Sequence, residues 1–305
     1  MRQQQPLPPK PFAWVDFPQD KQGRPLTPDR SKPRGHDRWD GDYTGALDCV
    51  LTLLTPLHVG SGLFRLADGQ VVKEAVRRDE QLIIPGSSLK GVFRSIAEAI
   101  SRSCVSKTSQ RLPSDDFKEC KKLERLCVCC CLFGGLGYLG RVRFNDTSPT
   151  NQPQEIRSVP PLWRPRRKEH GRKFYKHGQP ATGKEPFEVL PVGTQFNFRA
   201  DVESLTKEEM CLLLTAMGII GDLKPKLGGG KPRCLGSAEV TLQQARFWSP
   251  KDAAIEYERS KVIVTLKADD LCKQVAKSNR LIQQDALNDL KDILKHPRDE
   301  ECPPE

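Results

Sequence analysis

The chain has 305 residues, with 49 Lys and Arg against 39 Asp and Glu, a formal net charge of +10 and a pI near 9.1. That length suffices for a substantial core in one large or two small domains, and the charge favours a polyanion as partner, nucleic acid ahead of a membrane surface because no basic amphipathic helix stands out. No run of about 18 apolar residues and no secretory apolar segment is present, so membrane-spanning and exported classes are set aside and a cytoplasmic location is expected, where the 11 cysteines read as metal ligands or buried thiols and not as disulfides.

Prolines from Pro6 to Pro33 exclude a long helix or central strand from residues 1–45, which read as an arm. Its Phe12, Trp14, Phe17 and Trp39 would lie along a partner or along the chain's own core, a disordered tail being the alternative. Residues 46–56 are aliphatic and β-branched enough for a first core strand, stopped by Pro56, and residues 60–80 read as a variable loop. A short strand at 81–85 feeds a helix from Ser87 to about Ser103, in which Leu89, Val92, Phe93, Ile96, Ala97 and Ile100 recur at three- and four-residue spacing and leave Lys90 and Arg94 on the other face. After a cysteine-rich insertion at 103–131 come a strand at 140–146, a long insertion at 148–192, an alternating strand at 194–202, a helix at 206–220 and a strand at 235–248. The order β, α, β, β, α, β predicts an α+β fold of the ferredoxin-like, RRM-like kind over 46–248, an antiparallel sheet backed by two helices. Residues 249–305 read as a mainly helical tail.

The stretch from Ile83 to Arg94 runs a strand end through Pro85 and Gly86 into Ser87, Ser88 and a helix bearing Lys90. A capping serine, outward N–H groups and a lysine one turn in suit a phosphate group. The P-loop order of glycine and lysine is missing, so a nucleotide hydrolase is set aside. Gly228, Gly229 and Gly230 lie between Lys226 and Lys231 with Arg233 just beyond, a second anion-binding candidate against the alternative of a flexible turn. The middle of the 148–192 insertion is basic, with Arg164, Arg166, Arg167, Lys168, Arg172, Lys173 and Lys176 interleaved by Trp163, Phe174 and Tyr175, cations and ring faces suited to single-stranded nucleic acid. The alternative is a solvated loop, and in either case residues 163–178 are expected to be peripheral to folding. Cys127 and Cys130 form a C-x-x-C knuckle that Cys104 and Cys120 can complete to a structural zinc site. Cys129 and Cys131 leave that assignment ambiguous, with buried free thiols as the alternative; Cys49, Cys211 and Cys234 read as core.

Ile-Ile-Pro-Gly-Ser-Ser-Leu-Lys-Gly-Val-Phe-Arg (83–94) resembles the signature of the RAMP superfamily, the RNA-binding backbone proteins of CRISPR effector complexes. Leu-Thr-Pro-Leu-His-Val-Gly-Ser-Gly (54–62), Cys-Leu-Phe-Gly (131–134) with Gly-Arg-Val-Arg-Phe-Asn-Asp (140–146), and Lys-Leu-Gly-Gly-Gly-Lys-Pro-Arg-Cys-Leu-Gly-Ser (226–237) follow in the family's order. The resemblance implies the same ferredoxin-like fold, His58 close to RNA, and a thumb hairpin arising from 148–192 over the guide. It implies guide RNA (crRNA), complementary target RNA and other CRISPR effector subunits as partners, with no membrane.

In type III complexes, backbone subunits cut target RNA with an aspartate on the loop after the first strand, assisted by a divalent ion such as Mg or Mn. Here that aspartate would fall near Lys73 or Glu74, so the chain departs from the pattern, and Glu74 or Asp68 would have to substitute. A structural subunit without its own cut is the alternative. A different class, the freestanding RAMP endoribonuclease that processes guide-RNA precursor, typically uses a histidine in or near the first helix. Residues 87–103 contain none, which favours the subunit.

Overall fold

The computed structural model describes residues 10–38, 40–106, 112–151, 154–161, 171–248 and 263–302. In chain order the elements are β1 (Phe12–Val15), β2 (Tyr43–Leu53), β3 (Gly60–Ala67), β4 (Gln70–Ala75), β5 (Arg77–Arg78), β6 (Gln81–Leu82), α1 (Gly86–Ala99), α2 (Val128–Phe133) and β7 (Val142–Phe144). There follow β8 (Glu155–Val159), β9 (Arg172–Tyr175), β10 (Glu185–Val189), β11 (Gln195–Leu205), α3 (Lys207–Ala216), β12 (Ala238–Trp248), β13 (Ile263–Lys267), α4 (Ala268–Val275) and α5 (Gln284–Ile293).

Period-two alternation builds the central sheet. Along β2, Leu47, Cys49, Leu51 and Leu53 are buried, and along β11 Phe196, Phe198, Ala200 and Val202 are. Antiparallel register sets Leu51 opposite both Phe196 and Val240, so one face of three strands is apolar together. The sheet order is β13-β12-β2-β11-β7, all antiparallel. Without β13 this is the ferredoxin-like order. The apolar stripe of α1 (Leu89, Phe93, Ile96) and the buried run of α3 from Met210 to Ala216 join the same core. A capping box starts α3: the Thr206 hydroxyl accepts from Glu209 N at 3.2 Å, while the Glu209 carboxylate accepts from Thr206 N at 2.8 Å.

Five expectations need correction or extension. The expected loop 60–80 is largely the hairpin β3–β4, turned through Asp68 and Gly69 with both φ values positive (49° and 71°), the two-residue geometry that Asp-Gly favours. It extends into a second sheet, β3-β4-β10-β8. The mainly helical tail, of which residues 249–262 lie outside the described residues, also contains a strand, since β13 pairs with the edge strand β12 before α4 and α5 begin. α1 starts at Gly86 behind Pro85 with no side-chain cap; Asp146 Oδ1 accepts from Gly86 N at 2.7 Å in the place expected of Ser87 or Ser88. Residues 171–178 are not peripheral: β9 pairs with β1, Arg172 and His177 are buried, and His177 bridges Ser237 Oγ (2.6 Å) and Lys224 O (3.0 Å), so deleting 163–178 would cut into the core. Finally, a disulfide joins Cys234 to Cys302, where only core thiols were expected.

Candidate nucleic-acid interface and cysteine cluster

A cleft of about 790 Å³ opens where several separate stretches of chain meet. α1 contributes Ser88, Gly91, Val92 and Ser95; the second sheet contributes Lys73 and Phe187; β9 contributes Lys173, Phe174 and Tyr175; the glycine loop contributes Lys226, Gly228, Gly229, Gly230, Lys231 and Arg233. Among the described residues five cations and no aspartate or glutamate line it.

The cations differ in how far they are committed. Lys73 Nζ and Arg233 Nη2 both donate to Glu185 at 3.0 Å and both lie over the Phe187 ring, at 4.6 and 4.9 Å. Arg233 also donates to Pro160 O and is buried. Lys173 sits over Phe12 (3.8 Å) and Tyr175 (4.6 Å). Burial, with the like charge of Lys231 beside it, pushes Lys226 down to about 7, and its amine donates to Lys176 O at 2.6 Å. Burial also lowers Lys231, which has no carboxylate partner among the described residues.

The glycine loop is clamped, not flexible. Gly229 N donates to His58 O at 2.7 Å and Leu227 N to Gly236 O at 2.7 Å. A Cβ on Gly228 would stand 2.3 Å from His58 O, and its φ is +68°. Glycine is needed there for close approach and a left-handed backbone. The Gly229 amide is thereby turned to protein and not to an anion. His58 lines the cleft but is buried; its Nδ1–H donates to Glu188 O at 2.7 Å, which fixes the tautomer, and burial holds the ring below the ordinary histidine range.

Ser88, His58, Lys173, Gly228, Gly229, Gly230, Lys231 and Arg233 therefore share one cleft. Of the other predicted contacts, Ser87, Lys90 and Arg94 do not line it. Lys90 stands two residues on from Ser88, roughly 200° around the helix, and its neighbouring charges are Arg94 and Arg143. Arg94 is turned inward to Glu98 (2.8 Å), Gly134 O (2.6 Å) and Cys130 Sγ (3.4 Å). Ser87 is exposed and outside the cleft lining, and Arg166 and Arg167 lie outside the described residues. Asp68 is exposed at the hairpin tip in the left-handed conformation its turn requires. Glu74 follows Lys73 on β4, so strand alternation aims it away from the cleft, where Ser61 Oγ donates to it at 3.0 Å. The two candidate carboxylates thus do not share a site with the cations. Sequence reasoning missed Lys73 and Phe187, which face each other across β4 and β10; the Asp-Gly turn was the signal that β4 exists at all.

The four cysteines chosen by spacing lie together. Cys104, Cys120, Cys127 and Cys130 are buried, with their sulfurs all within 4.8 Å of one another. Cys104 Sγ is 3.5 Å from Cys130 Sγ and 3.6 Å from Cys127 Sγ, close to the roughly 3.8 Å edge of a tetrahedron with zinc–sulfur bonds of about 2.3 Å. Arg30 Nε donates to Cys120 Sγ at 3.3 Å and Arg94 Nη2 to Cys130 Sγ, as cations flanking thiolates would. This set could hold a metal such as zinc. Cys129 stands apart, 3.6 Å from Ser101 Oγ. No other cluster of metal-ligating side chains occurs among the described residues.

The family model of the RAMP superfamily matches residues 50–239, well over half the chain. No curated protein matches.

Proposed function

The chain belongs to the RAMP superfamily, whose members are CRISPR-associated RNA-binding proteins, and from that premise we propose that it is a guide-RNA-binding backbone subunit of a type III interference complex. The observation that carries this reading is the cleft, lined among the described residues by cations from β4, β9 and the glycine loop with no carboxylate, and by the apolar surfaces of Phe174, Tyr175 and Phe187. Cations neutralise phosphates without reading sequence, while ring faces accept any base. In the same reading the basic insertion serves as the thumb, the Cys104, Cys120, Cys127 and Cys130 set holds a structural zinc, and target RNA and other effector subunits are the partners of a cytoplasmic assembly.

The separation of Asp68 and Glu74 from the cleft favours a subunit that holds RNA over one that cuts it with a Mg or Mn ion, and the lack of a histidine in residues 87–103 favours it over a freestanding processing enzyme. Binding of unrelated single-stranded RNAs across a salt series tests the proposal. Lys73→Ala combined with Lys231→Ala should weaken binding of all sequences alike, and loss of both contacts should reduce the log–log salt slope by about 1.4. Unchanged affinity and slope would dismiss the cleft. Complexes assembled with Glu74→Ala or Asp68→Ala subunits should cut complementary RNA at as many positions as before; loss of one cut would restore the catalytic reading.

A further inference from the structure

A buried chain of charge links the cysteine cluster to one wall of the cleft. Arg94, whose guanidinium touches Cys130, donates to Glu98 Oε1 at 2.8 Å; Glu98 Oε2 accepts from Arg172 at 3.2 Å; and Arg172 donates onward to Ser103 O (2.9 Å) and Cys104 O (3.4 Å). Glu98 and Arg172 are 3% and 7% exposed. On the other side of the cluster, Arg30 of the N-terminal arm donates to Cys120 Sγ and to the carbonyls of Asp116 (2.6 Å) and Lys118 (2.9 Å).

The charges do not balance within the protein. Among the described residues, Glu98 is the one carboxylate that pairs with Arg94 and Arg172, and Arg30 meets only Cys120 Sγ and two carbonyls, which leaves two positive charges in excess. Four thiolates around one divalent ion carry two negative charges. Arg94 and Arg172 are largely buried and Arg30 partly so, and buried guanidinium groups persist only where an opposite charge and hydrogen bonds compensate their lost hydration.

Resting on the metal reading above, we propose that the metal-bound tetrathiolate is the counter-anion that seats two segments at once, the N-terminal arm through Arg30 and strand β9 through Arg94, Glu98 and Arg172. Arg172, buried at the start of β9, faces the cysteine cluster, while the next residues of the same strand, Lys173, Phe174 and Tyr175, line the cleft. Metal occupancy therefore fixes the wall against which RNA is held. The arm and β9 are also paired directly, with Val15 opposite Arg172 and Phe12 opposite Tyr175, so loosening either end loosens both.

The test uses the full chain, purified under reducing conditions, with elemental analysis, hydrogen exchange and binding of single-stranded RNA measured on the same samples. Chelation should speed exchange in residues 10–38 and 171–178, leave α3 protected, and weaken RNA binding about tenfold, a change that corresponds to roughly 1.4 kcal/mol; added zinc should restore all three. About one metal per chain with unchanged exchange in both segments after its removal would overturn the inference while sparing the metal site. Absence of bound metal would remove the metal reading and the inference with it. Should the metal-free chain unfold, Arg172→Met in the loaded protein decides: it should retain its metal yet exchange faster at 171–178 and bind RNA more weakly, and a variant unchanged in both respects would refute the coupling.

Discussion

Glu188→Gln offers the sharpest test of how the cleft is built. Glu188 is 1% exposed on β10, and its carboxylate accepts from Arg65 (2.8 Å), Ala75 N (2.9 Å) and both terminal nitrogens of Arg77, one of them at 2.7 Å. Those contacts fasten the β3–β4 hairpin and the β5 segment to the strand that carries Phe187. The glutamine keeps the shape but provides one acceptor oxygen and no charge, leaving two guanidinium groups facing a neutral amide. Removing one partner of a buried ion pair costs about 3–5 kcal/mol, which for a chain of this size lowers the melting temperature by about 5–8 °C. Burial alone would raise the Glu188 pKa; the hydrogen bond and charge of Arg77, with Ala75 N and Arg65, outweigh it and leave the group depressed. A depressed carboxylate stabilises the fold fully above its unfolded value, about 4.3, and loses that contribution as pH falls through the folded value. Denaturant unfolding from pH 7 to pH 3 should therefore find the wild type and variant well separated at neutral pH and converging in acid. A variant within about 1 kcal/mol of wild type at pH 7 would refute the argument, because a solvated surface pair contributes no more than that.

Gly228→Ala should cost about 1–3 kcal/mol, because a left-handed backbone and contact with His58 O are both required there, and weaker RNA binding at unchanged salt slope should accompany the loss. Cys302→Ser removes a link that closes a loop of 68 residues, so thermal unfolding under oxidising conditions should reveal a loss of about 4 kcal/mol by loop entropy, a difference that disappears once wild type is reduced. Phe93→Ala empties a fully buried position between Phe144 and Phe198 and should cost about 3–5 kcal/mol in denaturant titration.

The order of strands and helices in the central sheet was legible because each element carries its own period: alternation in β2 and β11, three- and four-residue spacing in α1. The cysteine set was legible for a related reason, since a C-x-x-C spacing confines two sulfurs to one neighbourhood whatever surrounds them. Legibility failed where the signal was a pairing and not a period. Arg94 has the same helical address as a solvent-facing cation, and only the arrival of Glu98, Gly134 and Cys130 around it decides that it turns inward. The Arg172 side chain was one cation among many in a basic stretch until β1, more than 150 residues earlier in the chain, supplied its partner strand.

By itself, then, the sequence determined the strands β2, β7, β11 and β12 and the helices α1 and α3 of the central fold, which glycine loop can approach a backbone closely, and which cysteines can gather. Those properties depend on neighbours a few residues apart, where covalent geometry limits the choices. Tertiary structure decided which cations meet in the cleft, which carboxylates are kept out of it, and that Cys234 finds Cys302. Each of those depends on contacts between segments remote in sequence, and for Lys73, Lys173 and Phe187 a one-residue shift in strand register would send the side chain to the opposite face.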